Sequence, residues 1–381
     1  MYQKLLALST FCGTIIGVGL FGLPYVTARV GFLPMVFYFL VLGVVMLLVN
    51  LAYGEIVLRT AGDHRLPGYN RIYLRRPWLE RLSYVTTIVG LVGSLLAYLV
   101  VGGSFLSSLA APYLGGNPLV YTTLFFIIGS LIVAVGAGPV SKTALASLTV
   151  FFVVLVLLLI TALPRINLSY LTGSSLNFDN FFMPYGVILF SLAGASVIPD
   201  LKEMLKKQEH ALRSVIVIGS IVPIIAYLVF IITVYGVTGP QTTEEALTGL
   251  SRALGGSVAT LGLIFGIMTT FDSFLALGIN LKKEFQYDGG LRPALAGTLA
   301  CLPAYLLYLF GVTDFIAIIS FIGAVALGID TAVTMMIYPK AKAHGQRKPA
   351  YSLNLSTPAV VTLTVLFLLG VGVEVYHLLV S

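Results

Sequence analysis

Runs of about twenty apolar residues follow one another along almost the whole chain, joined by short polar links, and this spacing leaves few folds open. In lipid every backbone polar group must find its partner within the protein, so such runs are helices. Eleven spans are expected, at 4–28, 32–58, 82–111, 119–137, 141–163, 182–203, 211–237, 255–281, 291–310, 314–338 and 358–380. Only 10% of the 381 residues are charged, against about 25% in a soluble domain. The chain therefore reads as an all-α polytopic membrane protein, with 1–381 as one transmembrane domain. No polar stretch is long enough for a soluble catalytic or motor domain, and no P-loop sequence occurs. The first apolar run extends past a signal-peptide core and lacks a small-residue cleavage site, so it is read as a span.

The first span contains Gly13-Thr-Ile-Ile-Gly17-Val-Gly19-Leu-Phe-Gly22-Leu-Pro24. Gly17 and Gly19 are poor helix formers, and Pro24 removes a donor from the turn before it. The pattern predicts a helix broken in mid-membrane, which is tolerated only where the open backbone lines a cavity or meets a ligand. Gly17 to Gly22 also matches the dinucleotide fingerprint GxGxxG. That motif needs a preceding strand and an acid about twenty residues on, whereas here a span precedes it and the next acid is Glu55. Gly13 and Gly17 could instead be a close-packing GxxxG face.

A second broken segment weighs against the packing reading. Span six reads Pro184-Tyr-Gly-Val-Ile-Leu-Phe-Ser-Leu-Ala-Gly-Ala-Ser-Val-Ile-Pro-Asp200, with a small, polar-tolerant centre ahead of Pro199. The two interrupted spans are five apart. Because five is odd, a second copy of a five-span unit would be inverted, repeat one covering 4–163, repeat two 182–338, and 358–380 being an extra span. Inverted repeats with discontinuous helices at matching positions point to a secondary transporter with its site at the midplane.

Lys and Arg set the orientation. With the N-terminus cytoplasmic, nineteen of the 22 basic residues fall inside, and only Arg29, Arg165 and Arg252 fall outside. The C-terminus is then outside. The net charge of +7 is a topology signal rather than a nucleic-acid footprint, because it is spread over several short loops. Segment 60–81, basic and aromatic, suits an interfacial stretch on the inner leaflet or an ordinary charged loop. Segment 238–254 predicts a short outside helix, and 339–357 a mobile cytoplasmic linker. Asn167-Leu-Ser169 is a formal sequon, read as a chance occurrence. Cys12 and Cys301 lie in apolar runs and imply neither disulfide nor metal; the four histidines form no ligand pair.

Ile16-Gly-Val-Gly-Leu-Phe-Gly-Leu-Pro24 with Tyr25 resembles the first-helix motif of the amino acid–polyamine–organocation superfamily. The span-six sequence and Leu66-Pro-Gly-Tyr69 resemble its amino acid/auxin and aromatic amino acid permease branches, which eleven spans with an outside C-terminus also fit. The similarity covers nearly the whole chain. It implies a LeuT-like 5+5 inverted repeat with discontinuous spans 1 and 6, spans 1, 2, 6 and 7 moving as a bundle against 3, 4, 8 and 9. It also implies amino acid transport coupled to H⁺ or Na⁺. The chain departs from the pattern at Asp200, where relatives often carry Glu, and at Asp272, where many carry a neutral residue.

A free amino acid carries a carboxylate and an ammonium group, and a broken helix supplies a partner for each: open N–H groups at one half-helix end, open carbonyls at the other. The carboxylate is expected on the amides of Val18, Gly19 and Leu20, and the ammonium on carbonyls near Thr14, Ile15, Ser191 and Leu192. Gly17 and Gly194 allow close approach. Tyr98 and Phe190 are candidate walls, and small Ala193 and Ala195 leave room for a sizeable side chain. Four acids lie within spans: Glu55, Asp272, Asp330 and Glu374. Glu55 precedes Arg59 by one turn, so a structural ion pair competes with a proton site. Glu374 is near the outer end, and Asp330 has no assigned role. Asp272 lies ten residues before Lys282, about 15 Å of helix, near the midplane. In the resembled fold this part of span eight faces the break in span one, where Thr269, Thr270 and Ser273 could join Asp272 in holding Na⁺. A proton is preferred, since removal from water disfavours the ionised carboxylate.

These readings give a secondary active transporter of a neutral, possibly aromatic, amino acid in the plasma or inner membrane, a proton symporter working by alternating access. Na⁺ coupling is the alternative. The coupling ion apart, no cofactor or metal is expected, and the partners are a small-molecule amino acid and the lipid bilayer. No nucleophile–base pair or phosphate cradle is found, so the chain is not read as an enzyme. An amino acid sensor on the same scaffold, or a channel, are rivals from other classes.

Overall fold

The computed structural model describes residues 2–135, 144–173, 180–206, 208–287 and 291–380. In chain order its helices are α1 (Tyr2–Ile15), α2 (Gly19–Val30), α3 (Phe32–Arg59), α4 (Leu66–Tyr73), α5 (Pro77–Leu114), α6 (Pro118–Val135), α7 (Ala144–Ala162), α8 (Leu168–Thr172), α9 (Met183–Ser191), α10 (Ile198–Met204), α11 (Ala211–Thr238), α12 (Leu247–Leu254), α13 (Gly256–Tyr287), α14 (Pro293–Leu309), α15 (Phe315–Phe321), α16 (Gly328–His344) and α17 (Thr357–Val380). Among the described residues there is no strand. Among the described residues nine helical segments are long and apolar enough to cross a bilayer. The pair α1 and α2, bent by 48°, makes a tenth, and the shorter Leu295–Leu309 takes the place of the eleventh. The far ends of the spans expected at 119–137 and 141–163, with Lys142 and Lys207, lie outside the described residues.

Both expected interruptions are present. Span 1 stops at Ile15 and resumes at Gly19. Span 6 stops at Ser191, passes through an irregular turn and a 3₁₀ turn at Ala195–Val197, and resumes as α10. Span 10 carries an irregularity that the sequence pattern did not announce: between α15 and α16 the backbone widens into a π turn at Ile322–Leu327. The close approach there needs glycine. A Cβ on Gly323 would collide with the Gly186 carbonyl and lie 2.8 Å from the Phe190 nitrogen. Wide π turns recur at functional sites in helices, and this one clasps α9 one turn before its break.

The basic links of residues 59–65, 200–206, 208–213 and 342–355 gather at one end of the bundle, and they are more ordered than their composition suggests. Segment 339–357 was expected to be mobile, and this expectation is corrected. The amides of Gln346 and Arg347 donate to the Arg59 carbonyl at 2.8 and 3.0 Å. The Tyr351 hydroxyl donates to the Leu51 carbonyl at 2.7 Å. At the centre is Glu55, fully buried. It pairs with Arg59 at 2.7 Å and accepts from Ser352 Oγ (2.8 Å), the Leu353 amide (2.6 Å) and the Tyr338 hydroxyl (3.3 Å). Arg59, Ser352 and Leu353 occupy the carboxylate, while the single Tyr338 proton is shared with the Leu353 carbonyl at 2.7 Å, so the geometry favours its reading as a structural ion pair.

Segment 60–81 is partly loop and largely exposed, with Arg65, Arg71, Arg75, Arg76 and Trp78 at the surface. Its middle forms α4, whose Tyr69 and Tyr73 are buried against the protein. Two lysines that read as topology charges also cap helix ends. Lys202 Nζ donates to the Gly62 carbonyl at 3.1 Å. Lys282 Nζ donates to the Val133 and Ala134 carbonyls at 3.1 and 2.8 Å. Cations there offset the negative end of a helix. The expected outside helix in 238–254 is α12, and Asn167 of the sequon caps α8, its side chain accepting from the Ser169 amide and hydroxyl at 3.0 and 2.8 Å.

Candidate functional site

The two breaks meet at one depth. A Cβ on Gly19 would lie 2.5 Å from Ser191 Oγ and 3.0 Å from both a Phe190 ring carbon and Ser191 Cα. A Cβ on Gly194 would lie 2.7 Å from the Phe11 ring and 2.9 Å from Ile15. Each glycine of one break therefore faces the opposite half-span, and only hydrogen atoms fit between them.

Tyr98 and Phe190 flank this junction. Tyr98, buried on α5, points its hydroxyl at Gly17, where a Cβ would collide with it, and the Val18 amide and Ser273 lie beside it. Phe190, half-buried, covers Gly19. The expected carboxylate-binding amides are not equivalent. Leu20 N–H is already donated to the Gly17 carbonyl at 3.2 Å, and the Val18 N–H meets the Tyr98 hydroxyl, which leaves Gly19 as the open one of the three.

The carbonyl side holds a residue that sequence reasoning missed. Tyr227, fully buried on α11, places its hydroxyl 2.5 Å from the Ile15 carbonyl and 2.8 Å from the Ser191 carbonyl. One phenol thus spans the negative ends of both half-helices. It carries a single proton, so it can fully satisfy only one of the two oxygens at a time. Thr14 is exposed and returns its hydroxyl to the Thr10 carbonyl at 2.9 Å. Leu192 is buried, and Ala193 and Ala195 are half-buried around Gly194. Behind the breaks Ile15, Asn50, Leu192 and Ser220 line a cavity of ≈ 10 Å³, room for about one water.

The expected ion-coupling group on α13 is not assembled as one site. Thr269 and Thr270 spend their hydroxyls on carbonyls of their own helix, Gly266 among them, at 3.2 and 2.7 Å. Ser273 faces Tyr98. Asp272 is exposed and accepts one hydrogen bond, from Ser147 Oγ at 3.3 Å.

Two features lie along the span axes on either side of the breaks. Toward the basic end, Arg65 grips Asp200 through two hydrogen bonds of 3.0 and 2.8 Å, and donates to the Ser196 carbonyl at 2.7 Å. This ties α10 to the start of α4. Toward the other end, a cavity of ≈ 230 Å³ is lined by Tyr25, Ser320 and the carboxylates Glu244, Asp314 and Glu374. Burial, reinforced by Asp314 and Glu245, raises the Glu244 carboxyl above the usual carboxylate range, while Arg29 opposes the shift.

Comparison with known proteins matches this arrangement over nearly its full length. The profile of the tryptophan/tyrosine permease family matches residues 3–377. Tyrosine-specific transport system 1 of Haemophilus influenzae is 23% identical over 330 residues, covering 82% of this chain and 81% of that protein. Glutamine transporter 2 of Aliivibrio fischeri is 30% identical over 175 residues, 42% of this chain and 43% of the relative. Among solved structures, that of MhsT in complex with L-phenylalanine superposes with a TM-score of 0.71 at 15% identity, covering 98% of this chain and 97% of that one. The fold is therefore the LeuT-like one.

Proposed function

The chain belongs to the tryptophan/tyrosine permease family, a family of transporters rather than enzymes, and from that premise we propose that it carries a neutral aromatic amino acid across the membrane by proton symport and alternating access. The observation that carries this reading is the meeting of two broken spans at one depth, with Tyr227 joining their carbonyl ends. A zwitterion needs donors and acceptors within one small space, and the Gly19 amide, the Val18 amide shared with the Tyr98 hydroxyl, and the Ile15 and Ser191 carbonyls supply both. The aromatic preference is supported by the tyrosine-specific relative and by the walls formed by Tyr98 and Phe190. The ≈ 10 Å³ cavity is far too small for an amino acid, so entry requires the half-spans to part. The Arg65–Asp200 pair and the opposite ≈ 230 Å³ cavity lie where an inner latch and an outer vestibule would act. The basic bias of the links supports a cytoplasmic N-terminus, an outside C-terminus and residence in the plasma or inner membrane. The five-span repeats at 4–163 and 182–338 belong to the same reading.

Purified protein in liposomes tests it. Labelled tyrosine, tryptophan, phenylalanine, leucine and glutamine are offered with a pH gradient, a Na⁺ gradient or neither. Uptake of an aromatic amino acid driven by the pH gradient and collapsed by a protonophore is expected. Uptake that requires Na⁺ and ignores pH defeats the proton assignment. Binding without counterflow turns the reading to a sensor. In the same assay Tyr227→Phe is expected to slow uptake on the order of tenfold, because one of two buried carbonyls loses its donor at a cost of about 1–3 kcal/mol. A rate within twofold of wild type would remove Tyr227 from the site.

A further inference from the structure

Asp330 has no place in the site described above, yet its position is as costly as that of Asp272. It precedes Lys340 by ten residues, as Asp272 precedes Lys282. Ten helical residues span about 15 Å, half of a ~30 Å hydrocarbon core. A charged carboxylate at that depth is costly even on insertion scales.

Among the described residues no ion pair includes Asp330. Its carboxyl is bonded by Thr86 Oγ1 on α5, at 2.5 Å. The elements packed against α16 are α3, α4, α5, α17 and the π turn. Most of their charged groups are engaged elsewhere, while the buried Tyr53 phenol on α3 lies within electrostatic reach of Asp330. Glu55 on α3 is held by Arg59, Arg65 before α4 by Asp200, and Arg71 on α4 by Glu80 on α5. Arg81, on α5, sits one turn before Thr86, near the basic end. Tyr53 on α3 and Tyr69 and Tyr73 on α4 are buried phenols. Glu374 and His377 of α17 lie toward its far end, and the π turn brings no titratable side chain.

We propose that Asp330 and Thr86 form a proton-binding site, the Asp330 carboxyl taking up and releasing a proton during each transport cycle. The assignment rests on the proton-symport reading above. Thr86 suits both states of the carboxyl. Its Oγ1 also lies 3.1 Å from the carbonyls of Leu82 and Ser83. With Asp330 ionised, the hydroxyl donates to the carboxylate. With Asp330 protonated, the carboxyl O–H donates to Thr86 Oγ1, and the hydroxyl turns its own proton to one of the two carbonyls. Only the carboxyl O–H bond forms and breaks, its proton taken from and returned to water, and the site changes charge by one. Thr86 is 7% exposed and Asp330 is half-buried. Asp330 also follows the π turn by three residues, and that turn is the part of span 10 that clasps Gly186 and Phe190 of span 6. The site thus joins the scaffold helix α5 to the element that grips one of the breaks.

The test combines transport with infrared spectroscopy on the purified protein in liposomes. In Asp330→Asn the ratio of pH-driven accumulation to counterflow is expected to fall at least tenfold, and Asp330→Glu is expected to restore part of it. In pH-difference infrared spectra a protonated-carboxyl band present in wild type should vanish in Asp330→Asn, persist in Asp272→Asn and shift in frequency in Thr86→Ala. The shift in Thr86→Ala serves even where Asp330→Asn does not fold. Asp330→Asn accumulating substrate as wild type does, or a carboxyl band untouched in both the Asp330 and Thr86 variants, overturns the site. Wild-type uptake that ignores pH overturns the symport reading instead, and the infrared bands then report on Asp330 independently of it.

Discussion

Gly19→Leu is expected to reduce uptake to background, a loss on the order of a hundredfold or more, in a protein that still elutes as a single folded species. A Cβ at this position would already stand 2.5 Å from Ser191 Oγ and 3.0 Å from Ser191 Cα. The hydroxyl can rotate away, but the backbone carbon cannot. Leucine adds three further carbons at the point where the two half-spans touch, so the spans must separate or the site must stay filled by the new side chain. Either outcome removes the paired backbone groups from reach of a zwitterion. Gly13→Ala is the contrast, because a Cβ there meets nothing within 4 Å. It is expected to keep uptake within about twofold, as surface substitutions away from packed contacts do. A folded Gly19→Leu protein transporting near the wild-type rate would detach the breaks from the substrate.

The readable parts of this molecule are those whose signals are local. Apolar runs announce spans because length alone matches them to the bilayer. Gly17, Gly19 and the small centre of span 6 announce breaks because helix propensity is a property of the residue itself. Tyr98 and Phe190 were legible as candidate walls, and both lie against the first break. Tyr227 was not, since one phenol within an apolar run of span 7 looks like any other packing aromatic. The only clue was that a buried hydroxyl demands a partner, and the partners are carbonyls more than thirty residues away in sequence. The π turn of span 10 was hidden for a related reason: Gly323 reads as an ordinary helix glycine until Gly186 is brought against it. Asp330 was legible by the same depth arithmetic that singled out Asp272, but span 8 drew attention through its neighbouring hydroxyls. Thr269 and Thr270 prove to spend those hydroxyls on their own helix. Segment 339–357 misled most, because composition records its charge but not the backbone carbonyls of Leu51 and Arg59 that hold it.

That held segment underlies the second large effect. Glu55→Leu is expected to destabilise the protein by about 3–5 kcal/mol, the usual cost of removing one partner from a buried ion pair. Glu55 has no exposed side-chain surface, and Arg59 retains 15%, so the guanidinium left behind has little water to turn to. The loss does not stop at the pair. The Leu353 amide, bonded to Glu55 at 2.6 Å, and the Ser352 hydroxyl at 2.8 Å also lose their acceptor, and with them the contact between α3 and the link that leads to α17. Thermal unfolding in detergent, followed by intrinsic fluorescence, measures the drop. The double variant Glu55→Leu/Arg59→Leu separates the two contributions. Where the stranded charge dominates, the double variant recovers at least about half of the lost stability, because the cost lies in the unpaired ion rather than in the missing attraction. Where the double variant is no more stable than the single one, the acceptor role of Glu55 toward Ser352 and Leu353 is what holds this end of the bundle together.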